Sequence, residues 1–422
     1  MEMFSIVSQY KGLSRSAYVI FFARIITNMG AFIWPLMTLI LVNKMGYTES
    51  QTALVAIVIG MVYLPATILG GRLADRFNRK YLIVFLDTLS VIFFISCAFV
   101  EPGFDMLIRF SLAGLFANME GPAFEALISD VTKPAEREKV FSLSYLGHNL
   151  GFVFGAAIGG MLFENYLSLA FVIDGLTTFL STILIVVFVV VIKQETLSKE
   201  EMNEYESHEL DTKRTFAILK ERKSIWIQII TFFLVAFIYD QWTFTLPIYL
   251  NRLFLSDGAR YFGYLASFNG GLVIVFTPIL TKILGKSHEM QKMMMGVSLY
   301  ALSFLVIMNE PQYLVFFIMI FLFTIGEIVN MLGSSPFISR RVPASHRGRV
   351  NSLVHVGFFL GSVVGKGVMG LIIQYTNFNI AFIVIAVTGF ATVGLITVNY
   401  KIDKKLFPNL YKSNLTDISA RI

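Results

Sequence analysis

A handful of ionisable residues stand inside long apolar runs of this chain: Arg24, Asp87, Arg109, Glu120, Asp174, Asp240, Glu327 and Lys366. Charge in such surroundings is costly and marks function or tight pairing. A carboxyl group held away from water can take up and release a proton near neutral pH, and when ionised it attracts a cation. Glu327 lies in TIGEIVNMLGSSPF and Asp240 in IYDQWTFTLPIYL. Tyr239, Trp242 and Phe244 flank Asp240, and aromatic faces stack on flat or cationic ligands. The competing assignment is a structural ion pair, Asp240 with Lys366 or Glu120 with Arg24. Asn28, Asn118, Asn149 and Gln241 would supply hydrogen bonds within the same runs. His148 and His355 have no carboxylate close in sequence and suit packing. The sequence holds no phosphate-binding Gly-Lys loop, no metal-ligand spacing and no nucleophile elbow. The chemistry on offer is proton and ion handling, so neither direct use of ATP nor enzymatic turnover is expected.

The elements that must position these groups are membrane helices. Charged residues make up 15% of the 422 positions, mean hydropathy is +0.70 and there are 41 Phe. Soluble domains carry about 25% charged residues, so the fitting solvent is a bilayer. Spanning it takes about 20 apolar residues in a helix. Twelve runs qualify: 16–42, 51–71, 81–100, 105–129, 140–163, 167–192, 224–250, 260–281, 291–309, 312–335, 350–374 and 378–400. The first is too long for a cleavable signal. The single cysteine, Cys97, excludes a disulfide framework.

Basic residues fix the orientation. Of 34 Lys and Arg, nearly all lie in the termini and the even-numbered loops, while the odd-numbered loops carry Lys44, Arg252 and Arg260. The odd loops hold acids instead: Glu49, Glu101, Asp105, Glu164, Asp257 and Glu310. Positive charge stays cytoplasmic, which places both termini inside and explains the basic balance without nucleic acid. A Glu- and Lys-rich linker at 193–223 divides a six-span bundle at 1–192 from a second at 224–422. The halves repeat: Val140, Ser142, Leu143, Gly147, Gly151, Gly155 and Gly160 recur 210 positions later as Val350, Ser352, Leu353, Gly357, Gly361, Gly365 and Gly370. Two related bundles imply a substrate site at their interface. Gly147, Gly151, Gly155 and Gly159 line one helix face and permit close helix approach.

Between runs two and three stands GGRLADRFNRK. Its Gly71-x-x-x-Asp75-Arg76-x-Asn78-Arg79-Lys80 resembles the loop 2–3 signature of the major facilitator superfamily. The family pattern has Gly where Asn78 stands, and Asn is the next choice for a left-handed turn. TKILGKSHEMQK, the matching loop of the second half, carries no clear copy, so the gate is expected to be asymmetric. Arg109 with Gly114 resembles a second signature, common in proton-driven members. The stretch Gly155-Ala156-Ala157-Ile158-Gly159-Gly160 resembles the antiporter signature G-P-x-x-G-G, with Ala156 in the proline position. The Gly-Glu pair at Glu327 is similar to the proton-linked glutamate of multidrug exporters and proton-coupled peptide importers.

This resemblance implies an all-α membrane fold with 12 transmembrane helices in two pseudo-symmetric six-helix bundles, whose spans 1, 4, 7 and 10 line a central cavity. Arg24, Glu120, Asp240 and Glu327 fall in those spans. The sequence is identified as similar to the drug:proton antiporter group, which implies proton-driven export of hydrophobic or cationic compounds by alternating access. The implied proton-coupling residues are Glu327, Asp240 and Glu120. Substrate contacts fall to Arg24, Asn28, Asn118, Tyr239, Asp240, Gln241, Trp242 and Glu327. Gating falls to Gly71, Asp75, Arg76, Arg79, Arg109, Gly151, Gly155 and Gly159. No cofactor is expected, the proton gradient being the driving force. Expected partners are a lipophilic small molecule and membrane lipids, with no nucleic acid, in a monomer at the plasma membrane. The alternatives are a proton-coupled importer of peptides or other solutes, a lipid flippase and a non-transporting sensor. Importers of that kind carry an E-x-x-E-R type signature in span one; VIFFARI holds Arg24 without a Glu.

Overall fold

The computed structural model describes residues 10–132, 136–190, 222–285, 287–309, 312–342 and 344–411. The linker at 193–223 lies outside them except for its last two residues. The first apolar run forms two pieces, α1 (Arg15–Gly30) and α2 (Ile33–Leu39), the latter continued by a π-turn at Ile40–Lys44. The Ser14 hydroxyl caps α1 by accepting from the Ala17 amide at 3.2 Å. Next comes α3 (Glu49–Arg76), opened by a reciprocal capping box. In it the Gln51 amide donates to the Thr48 hydroxyl and the Thr48 amide to the Gln51 side chain, satisfying two end donors. There follow α4 (Arg79–Cys97), α5 (Phe104–Asp130), α6 (Arg137–Leu162) and α7 (Leu167–Phe188).

The run at 224–250 is not one helix. It divides into α8 (Lys223–Tyr239), a 3₁₀ turn at Asp240–Trp242 and α9 (Thr245–Phe254). Pro247 sits in the first turn of α9, where backbone amides have no helical acceptor to lose. A second 3₁₀ turn, Leu255–Asp257, leads to α10 (Gly258–Leu284). Then come α11 (Glu289–Val306), α12 (Tyr313–Arg341), α13 (Ala344–Tyr375) and α14 (Phe378–Leu406). Among the described residues no strand occurs. Among the described residues eight stretches are long and apolar enough to cross a membrane, and one of them, Lys223–Leu284, runs through α8, α9 and α10.

Two compact units divide the chain: Met1–Thr196 with Trp242–Ile274, and Leu197–Gln241 with Val275–Ile422. In the first, α1 packs on α6 and α7, and α4 on α5 and α7. In the second, α8 packs on α13 and α14, and α11 on α12 and α14. The two lists are the same pattern of neighbours, twice.

The repeated glycines explain why. A Cβ on Gly151 of α6 would run into the carbonyl oxygen of Ile25 on α1. One on Gly361 of α13, 210 positions on, would run into the carbonyl oxygen of Phe233 on α8. Gly147 and Gly155 meet α1 one turn to either side, as Gly357 and Gly365 meet α8. Lipid tails offer helices no hydrophobic drive to associate, so backbone-to-backbone packing of this kind carries the association. The tail of the Gly155–Gly160 stretch turns two faces outward. Gly159 lies against Phe32, while Gly160 and Ala156 meet Gly263 and Ala259 at the start of α10.

These crossings set a measurable cost. Gly151→Val and Gly361→Val should each lower stability by about 1–3 kcal/mol, as overpacking does. Gly394→Ala on α14, where a Cβ meets open space, should not lower the thermal melt in detergent, since alanine favours helix over glycine.

Candidate functional site

The second unit assembles the strongest set of candidate groups where α8 breaks. Tyr239, the last residue of α8, donates its phenol to Glu327 Oε1 of α12 at 2.8 Å. Its ring stacks on Phe323, centroids 5.5 Å apart, and meets Tyr300 edge-on at 6.0 Å. Asp240, one residue on, receives the Lys366 ammonium of α13 at 2.9 Å and the hydroxyl of Ser362 on the same carboxylate oxygen. Of the two ion pairs weighed from the sequence, Asp240–Lys366 forms. Tyr239, Asp240, Glu327, Ser362 and Lys366 are all half-buried. Gln241 turns inward, its amide donating to the Phe237 carbonyl at 2.7 Å. Trp242 and Phe244 are buried, Trp242 packing on Phe262 with centroids 5.7 Å apart.

The first unit holds the remaining intramembrane charges. Arg24 of α1 does not take Glu120; it reaches Glu125 of α5 at 3.1 Å and lies 3.8 Å above the Phe124 ring. Phe124 is one helical turn from Glu120, which keeps Glu120 within electrostatic range of Arg24 and of Asp87. Asp87 accepts from the Thr182 hydroxyl at 2.6 Å. Asp174 is buried, and its Oδ2 has no partner among the described residues. Asn28 and Asn118 turn back on their own helices, each donating to the carbonyl four residues earlier at 2.8 Å. Arg109 binds Asp105 through two nitrogens, at 2.9 and 3.2 Å, and the Ser96 carbonyl at 3.3 Å. That ties the start of α5 to the end of α4.

At the basic helix ends, the loop 2–3 signature is a clamp. Arg79 pairs with Asp130 at the end of α5 and reaches the carbonyls of Ala74 and Ala126. Asp75, Arg76 and Arg72 are exposed. Gly71 has ordinary room around it, whereas a Cβ on its neighbour Gly70 would strike the backbone of Met119. The close α3–α5 approach therefore depends on Gly70. Asn78 is not in a left-handed turn: its φ is −63° and ψ 117°. It is the N-cap of α4, its side-chain oxygen accepting from the Lys80 and Tyr81 amides. Asn suits a cap better than Gly does.

The second half does carry a counterpart, with its charges exchanged. Counting 210 positions from Asn78, Arg79 and Asp130 leads to His288, Glu289 and Arg340. His288 caps α11, Nδ1 accepting from the Met290 amide at 3.3 Å. Arg340 binds Glu289 at 2.7 Å. The expected asymmetry is thus one of charge sign: Glu289 stands where the first half has Arg79, and Arg340 where it has Asp130, which hides the pattern from residue identity.

Beside this pair lies a cluster the sequence did not single out. Arg341 is fully enclosed; its guanidinium meets Asp403 at 2.7–3.0 Å through two nitrogens and Glu289 at 2.6 Å, over the Phe337 ring. Asp403 also receives the hydroxyls of Ser224 and Tyr411. Tyr411 in turn stacks on His288 at 4.2 Å. One buried guanidinium so ties α8, α11, α12, α14 and the C-terminal turn. Burial pushes the His288 imidazole below its usual value; Arg341 and Arg340 act with burial, Glu289 and Asp403 against it. Burial and Asp403 push the Tyr411 phenol up.

The family model described as Major Facilitator Superfamily matches residues 19–311 and 292–410. A Na(+), Li(+), K(+)/H(+) antiporter of Planococcus maritimus is 23% identical over 358 residues, covering 79% of this chain and 83% of that protein. The multidrug resistance protein MdtH of Yersinia pestis is 28% identical over 161 residues, 38% of this chain and 40% of that one. Among solved structures, a POT family transporter in complex with 5-aminolevulinic acid superposes with a TM-score of 0.76 at 14% identity, covering 94% of this chain and 98% of that chain.

Two outcomes test the clamp. Arg341→Met strands Asp403 in a closed site and leaves Glu289 with Arg340 alone, and should cost about 3–5 kcal/mol, read as a lost or strongly lowered melt. His288 is harder to protonate folded than unfolded. Its contribution to stability is therefore complete above about pH 6.5 and declines as pH falls below that value. His288→Asn keeps a capping side chain and should flatten the decline in melting temperature between neutral pH and about pH 5.

Proposed function

The chain belongs to the major facilitator superfamily, and on that premise we propose that it is a proton-coupled secondary active transporter exporting hydrophobic, cationic compounds by alternating access. The observation that carries this reading is a pair of half-buried acids linked through one residue: Glu327 holds the Tyr239 phenol, and Asp240 follows Tyr239 in the chain. Glu327 takes a hydrogen bond from a phenol, a donor that brings no net charge, and can exchange its proton without breaking an ion pair with that partner. Asp240, next to Tyr239 in the chain, is matched to a positive charge. Together they form a proton site next to a cation site, the minimum an exchanger of protons for cations requires. Glu120 is the proton-coupling candidate of the first half, with Arg24 near it. The Arg79–Asp130 and Arg340–Glu289 clamps hold the helix ends that move as bodies, and the Gly155–Gly160 stretch packs where helices must part and rejoin. On this reading twelve helices cross the plasma membrane, with both termini cytoplasmic, in halves at 1–192 and 224–422, as a monomer.

A second reading, exchange of alkali cations for protons, is favoured by the Asp240–Lys366 pair, since a carboxylate that accepts an ammonium also suits a small monovalent ion. The resemblance to the Planococcus maritimus antiporter supports it. Import of peptides rests on the likeness to a POT family transporter, which at 14% identity speaks for the fold alone.

Cells producing the protein should accumulate less ethidium than cells without it. Glu327→Gln, which holds the site in a neutral form, should reduce the initial efflux rate at least about tenfold, the scale of a lost proton-transfer group. Sodium-driven proton movement in everted vesicles without dye efflux would select the alkali-cation reading, and dye uptake that falls in Glu327→Gln would select import.

A further inference from the structure

Lys366 stands where a transported cation would be expected to stand. Its ammonium lies 2.9 Å from Asp240 Oδ2, the oxygen that also accepts the Ser362 hydroxyl. Ser362 and Lys366 are one turn apart on α13, so both donors approach the carboxylate from a single helix face. The contact is built in by the glycine crossing. Gly365, next to Lys366, lies against the carbonyl of Phe237 and the side chain of Gln241, residues on either side of Asp240 in the chain. A larger residue at 365 would push α13 away and part the pair.

Unlike the enclosed Arg341–Asp403 pair, this one keeps partial access: the side chains of Lys366 and Asp240 are 24% and 16% exposed. An accessible ion pair can exchange partners, and a lysine on a four-carbon stem moves away more readily than a forked guanidinium. A carboxylate already neutralised attracts a further cation weakly, while an ammonium beside it repels one. We infer that Lys366 is an internal counter-ion that competes with the substrate cation for Asp240, and so sets how strongly a compound must bind, and that it must carry positive charge, to be carried. When no substrate is bound, Lys366 keeps the site neutral. When a cation arrives, it takes the carboxylate and the ammonium swings off. Neutral compounds have nothing to gain from that exchange. The inference rests on the cation-export reading above.

The test is equilibrium binding of tetraphenylphosphonium to the purified full-length protein at one fixed pH, with dye efflux measured in parallel. Lys366→Gln should bind the probe about tenfold more tightly than wild type, because the competitor is gone. Lys366→Arg, whose planar fork grips a carboxylate more firmly, should bind it about threefold more weakly. Asp240→Asn should bind weakly, and adding Lys366→Gln to it should restore nothing. A purely structural lysine would instead lower affinity in both Lys366 variants. Binding by Lys366→Gln equal to or weaker than wild type, in protein that melts cooperatively, overturns the inference. If that variant does not fold, Lys366→Arg binding as tightly as wild type overturns it. In either case intact dye efflux by wild type leaves the export reading standing. No probe binding by any form, with no dye efflux, removes the export reading and this inference with it.

Discussion

A charge inside a membrane protein has to be answered, and most of this structure is organised by how each answer is made. Removing an ion from water costs several kcal/mol even after relaxation, and only close opposite charge with further hydrogen bonds offsets it. Lys44 answers Glu164, Arg79 answers Asp130, Arg24 answers Glu125, and Arg341 answers Glu289 and Asp403 together. These pairs bridge different helices, so each is also a statement about which helices stay together. The Arg109–Asp105 pair is within one helix, and there the Ser96 carbonyl makes the link to the neighbour.

The glycine ladders supply what the charges cannot. Salt bridges fix helix ends, but the middle of a bundle in lipid needs close steric fit along its length. Gly151 against Ile25 and Gly361 against Phe233 give that fit by letting backbones touch. The same crossing recurs 210 residues apart because the same requirement recurs in each half. The polar groups then follow from it: Arg24 stands one residue from Ile25 on α1, and Asp240 follows Phe237 on α8 by less than a turn.

The membrane character, the repeat and the setting of Glu327 and Asp240 as acids among apolar residues were legible in the sequence because each leaves a local trace: a long apolar run, a fixed offset, a lone acid. Three features were not. The break after Tyr239 is invisible to hydropathy, since IYDQWTFTLPIYL is apolar enough to read as continuous helix. Arg24 with Glu125 could not be chosen over Arg24 with Glu120, because both acids fall on one helix and side-chain reach decides between them. The second clamp was missed because charge was read as identity. Arg79 with Asp130 and Glu289 with Arg340 are the same contact with signs exchanged, and Asn78 and His288 are the same cap made by different chemistry. Applying the glycine offset to the charged positions would have found them.

The degree of enclosure separates two kinds of pair. Arg341 and Asp403 are fully buried, with guanidinium, hydroxyl and phenol partners around the carboxylate. Such a network has no spare position for an incoming ion, and breaking it leaves charges with nowhere to go; it suits helix ends that must stay joined. Asp240 and Glu327 are half-buried, and among the partners they hold are single, separable donors, an ammonium and a phenol. Low polarity around them makes each contact strong, and on the proposed reading it is their partial access that lets a proton or a cation replace it. A transporter needs both properties in one unit: joints that do not exchange partners, so that helices move as bodies, and a site that does, so that movement is tied to what is bound.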